Sequence, residues 1–183
     1  MYQIYYVEIF ILITIIWCMV RLWVAKQNKG INWKREVQLL LVYICLIVVV
    51  RYTFFPFQKV EGQIQPLNFN ISKIYPFKIN FEPIVHMWDY ADKRKAVLNL
   101  VGNITMFIPI GIVFPIVYKK LNTSVKALAA GIVFSLLIEI LQLLFYERTT
   151  DIDDLIMNSS GYVIGYVIYF LAKYIISKAK DKY

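Results

Sequence analysis

From Glu139 to Gly165 the chain reads EILQLLFYERTTDIDDLIMNSSGYVIG. An apolar run holding a carboxylate and an amide is followed by an acid-rich loop and a second apolar run. Each run is long enough and poor enough in charge to cross a membrane as a helix. Polar groups retained inside such segments are costly, so their positions point to function.

The same pattern extends upstream. Spans are predicted at Ile4–Val24, Val37–Phe55, Ala96–Tyr118, Ser124–Tyr146 and Leu155–Ile176. The 183 residues are 60% hydrophobic and 16% aromatic, with mean hydropathy +0.59, more apolar surface than a soluble domain of this length needs. The expected fold is therefore all-α: a polytopic membrane helical bundle of about five transmembrane helices with an interfacial outer loop. The first run lacks a basic region before it and a small-residue cleavage motif after it, so it is expected to remain a helix. The expected organisation is an N-terminal two-helix region over 1–50, its second helix running to about 55, a membrane domain over 51–176 and a basic tail over 177–183.

Lysine and arginine distribution sets the expected orientation. Arg21, Lys26, Lys29, Lys34 and Arg35 lie between the first two spans, Lys119, Lys120 and Lys126 between the third and fourth, and Lys173, Lys178, Lys180 and Lys182 at the end. The other loops nearly balance bases with acids, although Lys93-Arg94-Lys95 runs against the trend. This predicts an outside N-terminus and a cytoplasmic C-terminus. The net charge of +8 then suits anionic lipid headgroups, not nucleic acid. Membrane lipids are the expected partners.

Pro56, Pro66, Pro76 and Pro83 break the outer segment before residue 84. Ile84–Lys95 has the pattern of a short amphipathic helix at the interface. In the third span Pro109 and Pro115 leave a tolerated kink or a cavity-lining break, with Gly111 relieving the clash beneath Pro115. Cys18 and Cys45 read as buried apolar residues, and His86 as an interfacial loop residue.

At 1.5 Å per helical residue, Arg51, Asn99, Asn103, Glu139, Gln142 and Asn158 all fall within roughly 10 Å of one membrane boundary. Asn99 and Asn103 share a helix face with Gly102 between them, and Glu139 and Gln142 share another. Asp151, Asp154, Asn158, Gly161 and Gly165 follow one stripe, its glycines suited to close helix contact. Each group also has a structural reading. Arg51 either snorkels to the interface or pairs with Glu139. Asn99, Asn103 and Gln142 either bind a ligand or hold helices together. Asp151, Asp153 and Asp154 suit a helix N-terminus. D-I-D-D lacks the glycine and distal glutamate of a calcium loop, and no metal or cofactor is expected.

These residues resemble the VanZ-like family of small membrane proteins. The likeness begins at Arg51-Tyr52-Thr53-Phe54-Phe55-Pro56-Phe57 and includes Asn80-Phe81-Glu82-Pro83-Ile84. It is strongest from Asn99 to Pro115 and from Glu139 to Tyr166. The resemblance implies low-level resistance to teicoplanin and other glycopeptides, above all those with a lipid tail. By motif position it marks Arg51, Asn99, Asn103, Glu139, Gln142, Arg148, Asp151, Asp154 and Asn158 as shared polar positions.

Two functions follow as expectations, beside a purely structural role as a subunit of a larger membrane complex. In the first, an outward-facing polar cavity engages an amphiphile, either a lipoglycopeptide antibiotic or a lipid-linked envelope precursor. Arg51, Arg148 or Lys93–Lys95 would supply anion contacts. In the second, an intramembrane enzyme hydrolyses or transfers a group on an envelope lipid, with Glu139 as general base and Asp154 as second acid. The sequence leaves enzyme status and oligomeric state open.

Overall fold

A computed structural model describes residues 2–55, 60–70, 75–82, 93–121, 123–145 and 148–180. Helices α1 (Tyr6–Gln27), α2 (Trp33–Phe54), α3 (Lys93–Val117), α4 (Ser124–Gln142) and α5 (Ile152–Lys180) carry the fold. Among the described residues these five helices are long and apolar enough to span a membrane. Together with the family reported below, they make the chain an all-α, multi-pass membrane protein. Among the described residues four short strands accompany them: β1 (Tyr2–Ile4), β2 (Leu67–Phe69), β3 (Ile79–Asn80) and β4 (Thr150–Asp151). Two compact units are present, Met1–Lys78 with Leu141–Thr149, and Ile79–Ile140 with Thr150–Tyr183.

In the first unit α1 begins where Glu8 Oε2 accepts the Tyr5 backbone N–H at 2.9 Å. Helix α2 begins where Asn32 Oδ1 accepts from Arg35 N at 3.1 Å. Both side chains satisfy donors that a helix N-terminus leaves orphaned. None of the α1 residues is buried, so its apolar surface is available to lipid, Cys18 included. Cys18 was expected inside. Its position on a helix that meets α2 through a narrow seam explains the difference, while Cys45 is buried as expected. That seam holds Thr14 Oγ1 and Tyr43 OH at 2.7 Å, the Trp17 and Tyr43 rings, and an Arg21–Glu36 ion pair. Strands β1 and β2 pair antiparallel with Gln3 opposite Asn68, so residues 2–4, expected partly as helix, are extended. Beyond α2, Glu61 and Gly62 both have positive φ (51° and 77°). They form a tight turn closed by reciprocal Val60–Gln63 backbone bonds.

The second unit is organised by α3 against α5. A Cβ on Gly161 would meet the Ile104 carbonyl, and one on Gly165 the Ile108 carbonyl and the Gly111 Cα. The Gly161/Gly165 stripe thus gives the backbone contact its spacing predicted. Gly102, expected to serve similarly, faces open space; the close approach falls farther along α3, at Gly111. Helix α3 stays continuous through Pro109 and Pro115, a kink-tolerant course and not a break. Gly131 of α4 lies against the Tyr162 ring, which also meets Phe114 edge-on at 6.1 Å.

Several helix ends differ from expectation. Helix α4 stops at Gln142, where the next bonds tighten to Leu144 N→Leu141 O and Phe145 N→Gln142 O. Helix α5 starts at Ile152 and continues to Lys180, because acids in its first turn and lysines in its last complement its dipole. His86 and most of Ile84–Lys95 lie outside the described residues, and Lys93 opens α3.

Candidate functional site

The acid-rich loop builds the start of α5. Asp151 Oδ1 accepts from Asp153 N at 3.0 Å, acting as the N-cap, and Asp153 and Asp154 occupy the first turn. Asp151 N donates to Glu139 Oε2 at 3.2 Å, while Thr150 Oγ1 donates to Glu139 O at 2.7 Å. The end of α4 is therefore tied to the start of α5 through both main chain and side chain.

Two amides reach the same acids from elsewhere in this unit. Strand β3 pairs parallel with β4, Asn80 opposite Asp151, and Asn80 Nδ2 lies 3.2 Å from each Asp151 carboxylate oxygen. Asn80 is itself fixed by Glu82 N, which donates to its Oδ1 at 3.0 Å. From α3, Asn103 Nδ2 donates to Asp154 Oδ1 at 2.6 Å. Bonds to ionised acceptors are about twice as strong as neutral ones. Of the residues expected at the site, Asn103, Glu139, Asp151 and Asp154 join this network. Asn99, one turn before Asn103, is exposed.

One turn deeper the polar groups change character. Asn158 Oδ1, Ser135 Oγ and Tyr162 OH are buried and have no hydrogen-bond partner among the described residues. Asn158 is 1% exposed and Ser135 0%. Helices α4 and α5 run antiparallel, since Gly131 meets Tyr162 while Glu139 meets Asp151. Ser135 and Asn158 each lie four residues from the Gly131–Tyr162 contact, so they share a level beneath Glu139 and Asp154. Leaving such a group unsatisfied costs about 1–3 kcal/mol. Among the described residues no three His, Cys, Asp or Glu side chains form a metal-holding group.

The remaining expected residues belong to the first unit and converge on the last carbonyls of α2. Gln142 Nε2 donates to Thr53 O at 2.8 Å. Arg148 donates to Phe54 O through Nε at 2.9 Å and Nη2 at 2.5 Å. Arg51 Nη1 donates to Phe55 O at 3.4 Å, with its guanidinium 5.8 Å from the Tyr6 ring centre and 5.1 Å from that of Tyr52. These cations and amide satisfy acceptors at the negative end of the helix. Phe145 supports the arrangement edge-on to Phe54 and Phe69. Arg51, Gln142 and Arg148 thus have a defined capping role in their own unit.

Sequence reasoning missed Asn80, Thr150, Ser135 and Tyr162 as parts of the network or its floor. Asn80 stood within a quoted motif, and Ser135 lies one helical turn before Glu139. Thr150 carried no signal, because its role depends on β4 pairing.

The VanZ/LLP1 family model matches residues 40–173. Protein VanZ of Enterococcus faecium is 28% identical over 120 residues, covering 63% of this chain and 70% of that protein. No solved structure matches. With most of its length covered by the family model and five helices fit to span a membrane, the chain belongs to the VanZ/LLP1 family.

Proposed function

We propose that the protein is a cell-envelope membrane protein that lowers susceptibility to teicoplanin-type lipoglycopeptides by engaging an amphiphile at the Glu139–Asp151–Asp154 network. The amphiphile is the antibiotic or a lipid-linked envelope precursor. In this reading the N-terminus is outside, the C-terminus is cytoplasmic and the network opens outward.

The observation that carries this reading is the pair of orphaned, fully buried polar groups, Asn158 Oδ1 and Ser135 Oγ, below a network whose acids already accept bonds. An amide oxygen needs a donor, so the fitting head group presents hydroxyl or amine hydrogens, as sugars and amino sugars do. Arg51 and Arg148, expected as anion contacts, donate to the last carbonyls of α2 in their own unit.

A second reading uses Glu139 as the general base of a lipid hydrolase or transferase, with Asp154 as second acid. It is favoured by the burial of Glu139, 2% exposed, and by the fixed position of its Oε2. Lipid-extract mass spectrometry of cells carrying wild type or Glu139→Gln separates the two. Binding predicts identical lipid profiles with weakened resistance; a product that disappears in Glu139→Gln supports the enzyme. Wild-type resistance in Glu139→Gln, with the protein inserted, refutes both.

A further inference from the structure

The opposite end of α5 carries a cavity that the reading above does not use. It encloses about 480 Å³ and is lined by Pro115, Ile116, Lys119, Leu121, Tyr166, Tyr169, Phe170 and Lys173, all within the second unit. This volume lies in the ordinary range for small-molecule sites. Lys173 is the twenty-second residue of a helix that begins at Ile152. At 1.5 Å per residue it lies about 30 Å from Asp151, one hydrocarbon thickness away.

The lining divides by chemistry. Lys119 and Lys173 supply two ammonium groups, and neither has an acidic partner among the described residues. Lys173 Nζ is 5.9 Å from the centre of the Tyr169 ring, an attraction that steadies the cation over the cavity wall. The Tyr166 hydroxyl lies 3.4 Å from Ser124 Oγ. On the open side Ile116 and Phe170 are exposed, Phe170 by 54%, as apolar rails leading away from the cations.

We propose that this cavity binds an anionic phospholipid, its phosphate between Lys119 and Lys173 and its acyl chain along Ile116 and Phe170. Basic pockets between helices at a membrane boundary suit such headgroups. Two cations at one end and exposed hydrocarbon at the other match an amphiphile and do not match a free anion. The site is distinct from the Glu139 network and does not depend on how that network functions.

Native mass spectrometry of the full chain, released from nanodiscs holding equal phosphatidylglycerol and phosphatidylcholine, tests the proposal. Wild type is expected to retain phosphatidylglycerol selectively, and Lys119→Gln/Lys173→Gln to lose roughly tenfold or more of that retention. Both lysines are exposed, so the variant keeps the fold. Lys26→Gln/Lys34→Gln, which removes two cations elsewhere, is expected to retain the lipid. Inorganic phosphate at millimolar concentration is expected to leave the adduct in place. Equal retention of both lipids, equal loss in the two double variants, or displacement by inorganic phosphate would each overturn the proposal.

Discussion

Replacing Gly161 by alanine tests the α3–α5 contact that underlies the polar network. The added Cβ would press on the Ile104 carbonyl oxygen, with Ile104 C at 2.9 Å and Ile104 Cα at 3.0 Å. All three atoms are backbone, so no rotamer change relieves the clash and the helices must separate. Overpacking of this kind costs about 1–3 kcal/mol. Gly102 provides the control on the same helix pair, because nothing lies within 4 Å of its added Cβ. The change recovers helix propensity worth about 1 kcal/mol at both positions, and at Gly102 no clash opposes it. The two alanine variants should therefore differ by about 1–3 kcal/mol in unfolding free energy, measured by denaturant titration in mixed micelles. Separation of α3 from α5 should also lengthen the Asn103–Asp154 bond, so Gly161→Ala should lose resistance while Gly102→Ala keeps it. Equal stability of the two variants would refute the backbone-contact reasoning.

Arg148→Ala should destabilise the first unit by about 1.5–3 kcal/mol through loss of its paired bonds to Phe54 O. Arg148→Lys should recover only part of this, since an ammonium lacks the planar fork, and thermal unfolding of both variants is the check. Asp151→Ala removes an N-cap and the Asn80 acceptor together. It should cost at least about 1 kcal/mol in unfolding free energy and speed amide exchange in the first turn of α5. Asn103→Leu removes the 2.6 Å bond to Asp154 and should cost about 1.5–3 kcal/mol in the same titration.

Much of this architecture was legible in the residues. The five apolar runs set the helices, the Gly161/Gly165 spacing set the α5 contact face, and Asp151 with Asp153 marked a helix start. Asn103, Glu139, Asp151 and Asp154 were expected to converge, and they share a network within the second unit. The strand pairings were not legible: Leu67–Phe69 and Ile79–Asn80 are too short for a period-2 pattern, and their partners lie far away in sequence. Gly102 also misled, because spacing shows which face a residue occupies but not where along that face a neighbour crosses. The bonds of Arg51 and Arg148 to the end of α2 were not legible either, because sequence cannot show which backbone carbonyls a helix end leaves open.

The central claim is that the buried acceptors beneath Glu139 serve a ligand and not the fold, and Asn158→Leu tests it directly. Leucine keeps the four-heavy-atom branching of asparagine and removes an unsatisfied buried oxygen, a gain of about 1–3 kcal/mol that offsets the packing cost of its bulkier methyl groups, so the purified variant should be about as stable as wild type. The decisive measurement is teicoplanin susceptibility of a sensitive host expressing this variant at wild-type levels. Loss of protection down to the empty-vector level, in a chain that is no less stable, is the predicted result. Full protection from Asn158→Leu would contradict the account.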